Sequence, residues 1–246
     1  MGRGNAARGV LLAITMAAAA TSAAAQGLEG TTSVFVSIGT GASLGGNVIE
    51  EGTGRIDSVP VVFVEQAFSN HYSDGLRLRG GVGFGLDYTK EVFVNFGYGR
   101  LNATERIVGA AGTVPLHVRF SNARALDLEG GLRYYLLPEG PTRTYLAGVA
   151  GVRFLEEVTA TLRAPDIGLE RRDLPYFDAS TLFVFGADAG VSREVATAFS
   201  IGAEIGLRYQ PKPGPAEILA GSGLEGINDT GSRWSLPISG FATWRF

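Results

Sequence analysis

Polar and apolar residues alternate along this chain with a period of two. In the run that closes at Phe246, the even positions are Trp234, Leu236, Ile238, Gly240, Ala242, Trp244 and Phe246. The odd ones are Arg233, Ser235, Pro237, Ser239, Phe241, Thr243 and Arg245. Leu76–Tyr88, Leu126–Leu136 and Phe199–Gln210 repeat the pattern. Successive side chains of a strand point to opposite faces, so each run has one apolar face and one polar face. Soluble strands usually stop at about 5–6 residues, whereas about 9–11 tilted residues cross a bilayer. A wall with hydrocarbon on one side and a packed polar interior on the other requires such runs.

Eight segments fit: residues 32–40, 76–88, 92–102, 123–136, 143–157, 179–191, 196–210 and 232–246. The gaps after the second, fourth and sixth are short and the others long. That is the layout of short periplasmic turns and long extracellular loops. The predicted fold class is all-β, an antiparallel transmembrane up-and-down β-barrel of eight strands with both termini on the short-turn side. Residues 59–66, with Val59, Pro60, Val61, Val62, Phe63 and Val64, form a further β-like run that could be a ninth strand. Even counts prevail in single-chain bacterial barrels, so it reads as a hairpin arm in the first loop or an extension of the second strand. A ten-stranded barrel with a partner in 41–50 is the alternative. Tyr88, Tyr134 and Trp244 towards the short turns, and Tyr98 and Trp234 towards the loops, suit interfacial girdles.

Residues 1–25 read as a cleaved signal peptide. Arg3 and Arg8 precede the apolar stretch Val10–Ala20, and Ala23-Ala24-Ala25 stands before Gln26. The chain is therefore expected in the outer membrane of a Gram-negative bacterium, with 26–246 as one barrel domain. Past the signal no stretch reaches about 18 apolar residues, so no spanning helix is predicted. The formal net charge of −3 becomes −5 once Arg3 and Arg8 are removed. Nucleic-acid binders are normally basic, so that class is set aside. The chain has no Cys, which excludes disulfides and thiol chemistry.

The polar faces give an inventory of charge for the barrel interior. It contains Arg77, Arg79, Arg133, Arg153, Arg208, Arg233 and Arg245 against Asp87, Asp127, Glu129, Glu157, Asp188 and Glu204. An eight-stranded barrel is just wide enough for side chains to fill it. Nearly balanced charge there implies an ion-pair plug, since an unpaired buried charge costs on the order of 3–5 kcal/mol. Gly81, Gly83 and Gly85 are expected to make room for arginines. An ion pathway that opens when the pairs rearrange, as in a narrow porin, is the alternative.

Other chemistry has little support. Gly81-Val82-Gly83-Phe84-Gly85 has the composition of a phosphate loop, yet no Lys-Ser/Thr follows and no helix opens after it. His71 and His117 lack further ligands at metal-site spacing. No cofactor, metal or catalytic residue is expected. The triplet His71-Tyr72-Ser73 resembles the His-x-Ser element of PagL-type lipid A deacylases. That resemblance would imply a His base and a Ser nucleophile, with Asp74 or Asp87 as the nearest acids. The loops hold no basic cluster, and Glu170-Arg171-Arg172-Asp173 reads as a solvated charge run.

The eight segments, the alternating gaps, the Ala-x-Ala signal and the ending Thr243-Trp244-Arg245-Phe246 together resemble the OmpA/OmpX/opacity-type outer-membrane β-barrel superfamily. Leu128–Tyr135 and Gly202–Tyr209 look like its strand motifs. The resemblance spans 26–246 and implies a non-enzymatic barrel with a structural or surface-interaction role. It also implies that the barrel-assembly machinery reads Trp244 and Phe246 as an assembly signal, and that lipid and lipopolysaccharide surround the wall. OmpA-type proteins carry a periplasmic domain after the barrel; with the sequence ending at Phe246, that tethering role is not expected.

Overall fold

The computed structural model describes residues 28–137, 139–217 and 221–246. The expected signal peptide lies outside the described residues. In chain order come β1 (Thr32–Ser43), β2 (Asn47–Ile49), β3 (Gly52–Ile56), β4 (Val59–Phe63), β5 (Gln66–Ala67) and the single helical turn α1 (Phe68–His71). There follow β6 (Tyr72–Gly85), β7 (Lys90–Ala103), β8 (Arg106–Ala111), β9 (Val114–Phe120), β10 (Ala123–Tyr135) and β11 (Thr142–Leu155). The order ends with β12 (Val158–Ala164), β13 (Leu169–Phe177), β14 (Ser180–Ala196), β15 (Phe199–Gln210) and β16 (Arg233–Arg245).

Eight of these close into an antiparallel barrel in the order β1-β16-β15-β14-β11-β10-β7-β6. β1 pairs with both β16 and β6, so the sheet has no free edge and every ladder is satisfied within the wall. At the seam Val34 faces Trp244 and Ile38 faces Gly240. Phe246 N–H donates to the Thr32 carbonyl at 2.8 Å and receives a bond back at 3.1 Å.

The alternation decides which side chains meet the outside. Along β7, Val92, Val94 and Phe96 point out and stay exposed, whereas Glu91, Phe93 and Asn95 point in and are buried. The same holds for Val34, Val36 and Ile38 on β1 and for Ile201, Ile205 and Leu207 on β15. A contiguous apolar belt around a closed wall is unsuited to water and matches the lipid-facing band of a transmembrane barrel. Aromatic clusters sit towards both rims. Tyr209 packs against Phe185 at 4.9 Å and Trp234 at 5.2 Å, and Phe199 packs against Trp244 at 4.9 Å.

One end of the barrel is finished by tight connections and the other by long ones. β6 and β7 are joined by residues 86–89, and β14 and β15 by 197–198. At the opposite end the long segments are not irregular loops. Hairpins β3–β4, β8–β9 and β12–β13 join side by side into a six-stranded sheet, β13-β12-β9-β8-β4-β3. The run at Val59 is therefore β4, an arm of the first hairpin. Its partner is β3, not a strand in 41–50.

Residues 211–217 run along one edge of this sheet and 221–232 along the other. Arg55 N–H donates to Ser222 O at 2.8 Å on the β3 side, and Ala216 N–H to Tyr176 O at 3.2 Å on the β13 side. The enclosed space holds an apolar core that includes Val48, Phe63, Leu116, Phe120, Leu162, Tyr176, Leu224 and Ile227. Each such buried side chain contributes about 1.5–3 kcal/mol. Two polar groups among them are satisfied. Asn228 Nδ2 donates to the carbonyls of Tyr176 and Ala216, both at 2.7 Å, and the Tyr176 hydroxyl lies 2.7 Å from Val48 O.

Candidate functional site in the barrel interior

The inward faces of β6, β10, β11, β14 and β15 bring their charges into contact. On β10, Asp127, Glu129 and Arg133 share a face because they are separated by even steps. Arg153 grips Asp127 with Nε at 2.7 Å and Nη2 at 3.0 Å. Arg77 reaches Asp127 at 3.0 Å and Glu129 at 3.2 Å. Arg208 continues from Glu129, at 3.3 Å, to a bidentate pair with Asp188 at 2.5 and 2.8 Å. Arg79 joins Glu204 at 2.6 Å, and the Tyr145 hydroxyl donates to the same carboxylate at 2.6 Å. Bidentate guanidinium–carboxylate pairs of this kind add geometric specificity to charge.

Nearer the short turns, Glu91 accepts from Arg133, from Ser33 and from the Tyr135 hydroxyl, the last at 2.9 Å. The Arg133 guanidinium also lies over the rings of Phe93 and Tyr145, each at 4.7 Å to the centroid. Arg245 donates to Ser200 Oγ at 3.1 Å at the barrel rim. Arg233, at the opposite end, donates to Gln210 Oε1 at 3.1 Å and lies 3.8 Å over the Phe68 ring.

Small residues beside large charged ones make this possible. Arg77 is flanked in register by Gly39 and Gly99, Arg79 by Gly97, Arg208 by Gly186 and Asp188 by Gly206. The glycines expected to serve arginines do otherwise. A Cβ on Gly83 would meet Glu91 and Ser33, and one on Gly81 would meet the Phe35 ring.

Two of the charges expected inside are not there. Asp87 lies in the β6–β7 turn, where its carboxylate accepts from Thr89 N–H at 2.7 Å, from Lys90 N–H at 2.8 Å and from Lys90 Nζ at 3.0 Å. Those bonds, led by the Lys90 ammonium, hold it below the usual carboxylate range. Glu157 is exposed, because β11 leaves the barrel at Leu155 and the chain turns into β12. Two interior groups went unforeseen, Glu91 and Arg143. Arg143 is buried with Nη1 unpartnered among the described residues. Its even spacing from Tyr145 and Ala147 was the available signal.

The His71-Tyr72-Ser73 triplet does not form a base–nucleophile pair. His71 is fully buried in the cap, edge-on to Phe120 at 5.1 Å, and neither ring nitrogen has a hydrogen-bond partner among the described residues. Ser73 Oγ instead donates to Asn102 O at 3.4 Å. Burial, with the Arg106 guanidinium as a second cause, pushes the His71 pKa down to about 4.

Between the ion pairs and the cap lies a chamber of about 100 Å³, floored by Arg77, Asp127 and Arg153 and reaching Phe68, Tyr72 and Arg233. The barrel is thus a closed eight-stranded antiparallel wall, apolar outside and ion-paired within. No family model matches the chain, and no curated protein matches it by sequence. Among solved structures it is similar to Neisserial surface protein A at 12% identity and a TM-score of 0.47, over 89% of this chain and 100% of that one. It is also similar to OprG from Pseudomonas aeruginosa, at 10% identity and a TM-score of 0.45, over 91% and 99%. Ail, the attachment invasion locus protein of Yersinia pestis, is similar at 12% identity and a TM-score of 0.40, over 89% and 99%.

Proposed function

We propose that this chain is an integral outer-membrane protein that acts through its outward surface and carries no open aqueous path. The observation that supports this most is the double closure of the lumen. An ion-pair network fills the barrel, and the apolar core of the six-stranded cap stands above it. Long loops that served only as linkers would have no need of such a core, since flexible loops bury little. Surface pairs further tie the hairpins together. Arg171 of β13 meets Asp57 at the β3–β4 turn, and Arg163 donates to Glu170 at 2.9 Å across the β12–β13 hairpin. A rigid surface loses little conformational freedom on binding, which suits a structural or adhesive contact with envelope components or an outside partner.

In this reading the apolar belt faces outer-membrane lipid and lipopolysaccharide. The assembly machinery reads Trp244 and Phe246 at the seam, and the cap lies outside the cell. The absence of cysteine gives a clean test of orientation. Thr113→Cys and Asp166→Cys place a thiol at exposed hairpin tips, and Thr197→Cys places one in an exposed short turn. A membrane-impermeant maleimide applied to intact cells is expected to label the first two, and Thr197→Cys only after lysis. Labelling of Thr197→Cys alone in intact cells would overturn the orientation, and labelling of none would overturn surface display.

A further inference from the structure

The chamber above the ion pairs has a charge, a lining and an entrance that together define an occupant. Its charged floor is Arg77, Asp127 and Arg153, and Arg233 stands beside it, sharing Gln210 Oε1 with Arg153. Asp127 is already engaged by two of these guanidiniums. Arg233 has only neutral partners among the described residues, Gln210 and the Phe68 ring. Arg77 Nε is buried with no partner, and so is the amide nitrogen of Gln210. Three guanidiniums therefore line a void that holds one carboxylate, and one of their donors, Arg77 Nε, is buried without a partner. Buried donors are normally satisfied, and an excess of buried positive charge calls for an anion.

The rest of the wall is not that of an inorganic-anion site. Leu101, Ala123, Ala125, Leu155 and Phe68 line it, so one end of the occupant must be apolar. Size sets a bound. An engineered cavity of about 150 Å³ admits benzene, so the chamber's volume of about 100 Å³ takes a smaller body. A route exists as well. A second, smaller cavity shares Phe68, Tyr72 and Arg233 with the chamber and extends to Pro213 and Gly231 in the two segments along the cap edges. Arg233 and the two aromatic rings stand between the two spaces.

We propose that the chamber is a binding site for a short-chain aliphatic carboxylate of about four carbons. Its carboxylate is held by Arg233 and the Arg77–Arg153 floor, and its chain lies on the apolar wall. The chamber is a dead end, because the ion-pair network lies below it. The site is independent of which surface partner the cap meets.

The test uses the full mature chain refolded in detergent micelles and titrated with butyrate, binding being read by saturation-transfer NMR from protein to ligand methyl. Butyrate is expected to bind, and butyramide, its neutral isostere, about tenfold more weakly, as loss of a charge-assisted bond implies. Arg233→Gln is expected to lower butyrate affinity about tenfold, provided that the variant still migrates as a folded barrel in unboiled gels. Ala125→Phe keeps every charge and fills the chamber, and is expected to abolish binding. The proposal is overturned if butyramide binds as well as butyrate, or if Ala125→Phe leaves binding unchanged. It is also overturned if sulfate displaces butyrate at equal concentration, which would mark an unselective anion site.

Discussion

Glu91 is the group on which the short-turn half of the interior depends, and its removal gives a quantitative test of the ion-pair account. Arg133 is only 7% exposed, and Glu91 is its one salt-bridge partner among the described residues. Glu91→Gln keeps the size and one acceptor oxygen, enough for either Ser33 or Tyr135, but leaves the guanidinium without a counter-charge. Breaking a buried pair from one side costs about 3–5 kcal/mol. The rings of Phe93, Tyr145 and Phe35, at 4.7, 4.7 and 5.4 Å, still face the cation. Such contacts are worth about 0.5–2 kcal/mol each, so the loss should fall at the low end, about 3 kcal/mol. In Glu91→Gln/Arg133→Met both charges are gone, and stability should return to within about 1 kcal/mol of the parent, since replacing a whole buried pair is often neutral. Urea unfolding in lipid vesicles, followed by tryptophan fluorescence, measures all three. A single variant within about 0.5 kcal/mol of the parent, or a double variant less stable than the single, would refute the reasoning.

Glycine spacing gives a second check. A Cβ on Gly206 would meet the Asp188 carboxylate and come within 3.0 Å of Arg208 Nη1, whereas one on Gly148 meets nothing within 4 Å. Gly206→Ala should therefore cost about 1–3 kcal/mol as overpacking does, and Gly148→Ala should stay within about 0.5 kcal/mol, by the same unfolding assay. The cap should loosen in acid. His71 resists protonation when folded, with its pKa lowered from 6.5 to about 4. Its contribution is whole above pH 6.5 and falls as pH drops through that window, by about 3 kcal/mol in all. Protection factors of the β8 and β9 amides, that is, exchange corrected for its intrinsic slowing in acid, should fall from pH 7 to pH 4, and His71→Met should flatten that change. Removing the closing aromatics, in Trp244→Ala/Phe246→Ala, should lower the amount of heat-modifiable barrel assembled in cells yet leave refolding in detergent intact. Equal loss in both settings would make these residues structural rather than a signal.

The barrel was legible because its alternation is long and its two faces differ sharply. Val92, Val94 and Phe96 could not share a side with Asn95 without placing an amide in lipid. What misled was the edge of each run. Asp87-Tyr88-Thr89-Lys90-Glu91 is so polar that the turn is naturally placed too late. The Asp87 carboxylate nucleates it earlier by capping Thr89 and Lys90, which releases Glu91 into β7. Parity carried Glu157 inwards with Arg153, but parity holds only while the strand continues. The cap was written in the same code. Val158, Ala160, Leu162 and Ala164 alternate with Thr159, Thr161 and Arg163, and every one of the former is buried. An expectation of long loops hid a period of two that the residues display. The pairing of residues 211–217 and 221–232 with the two cap edges has no such pattern, because backbone bonds such as Arg55 to Ser222 leave no mark on side-chain order.

The central claim is that the interior is packed rather than open. Single-channel recording of the refolded protein in planar lipid bilayers tests it most directly. With the Asp127–Arg77–Glu129–Arg208–Asp188 chain intact and the cap core above it, no steady conductance is expected over the baseline at moderate voltage. A stable, reproducible open level in the parent protein, of the nanosiemens order seen as robust opening, would contradict the closed-lumen account.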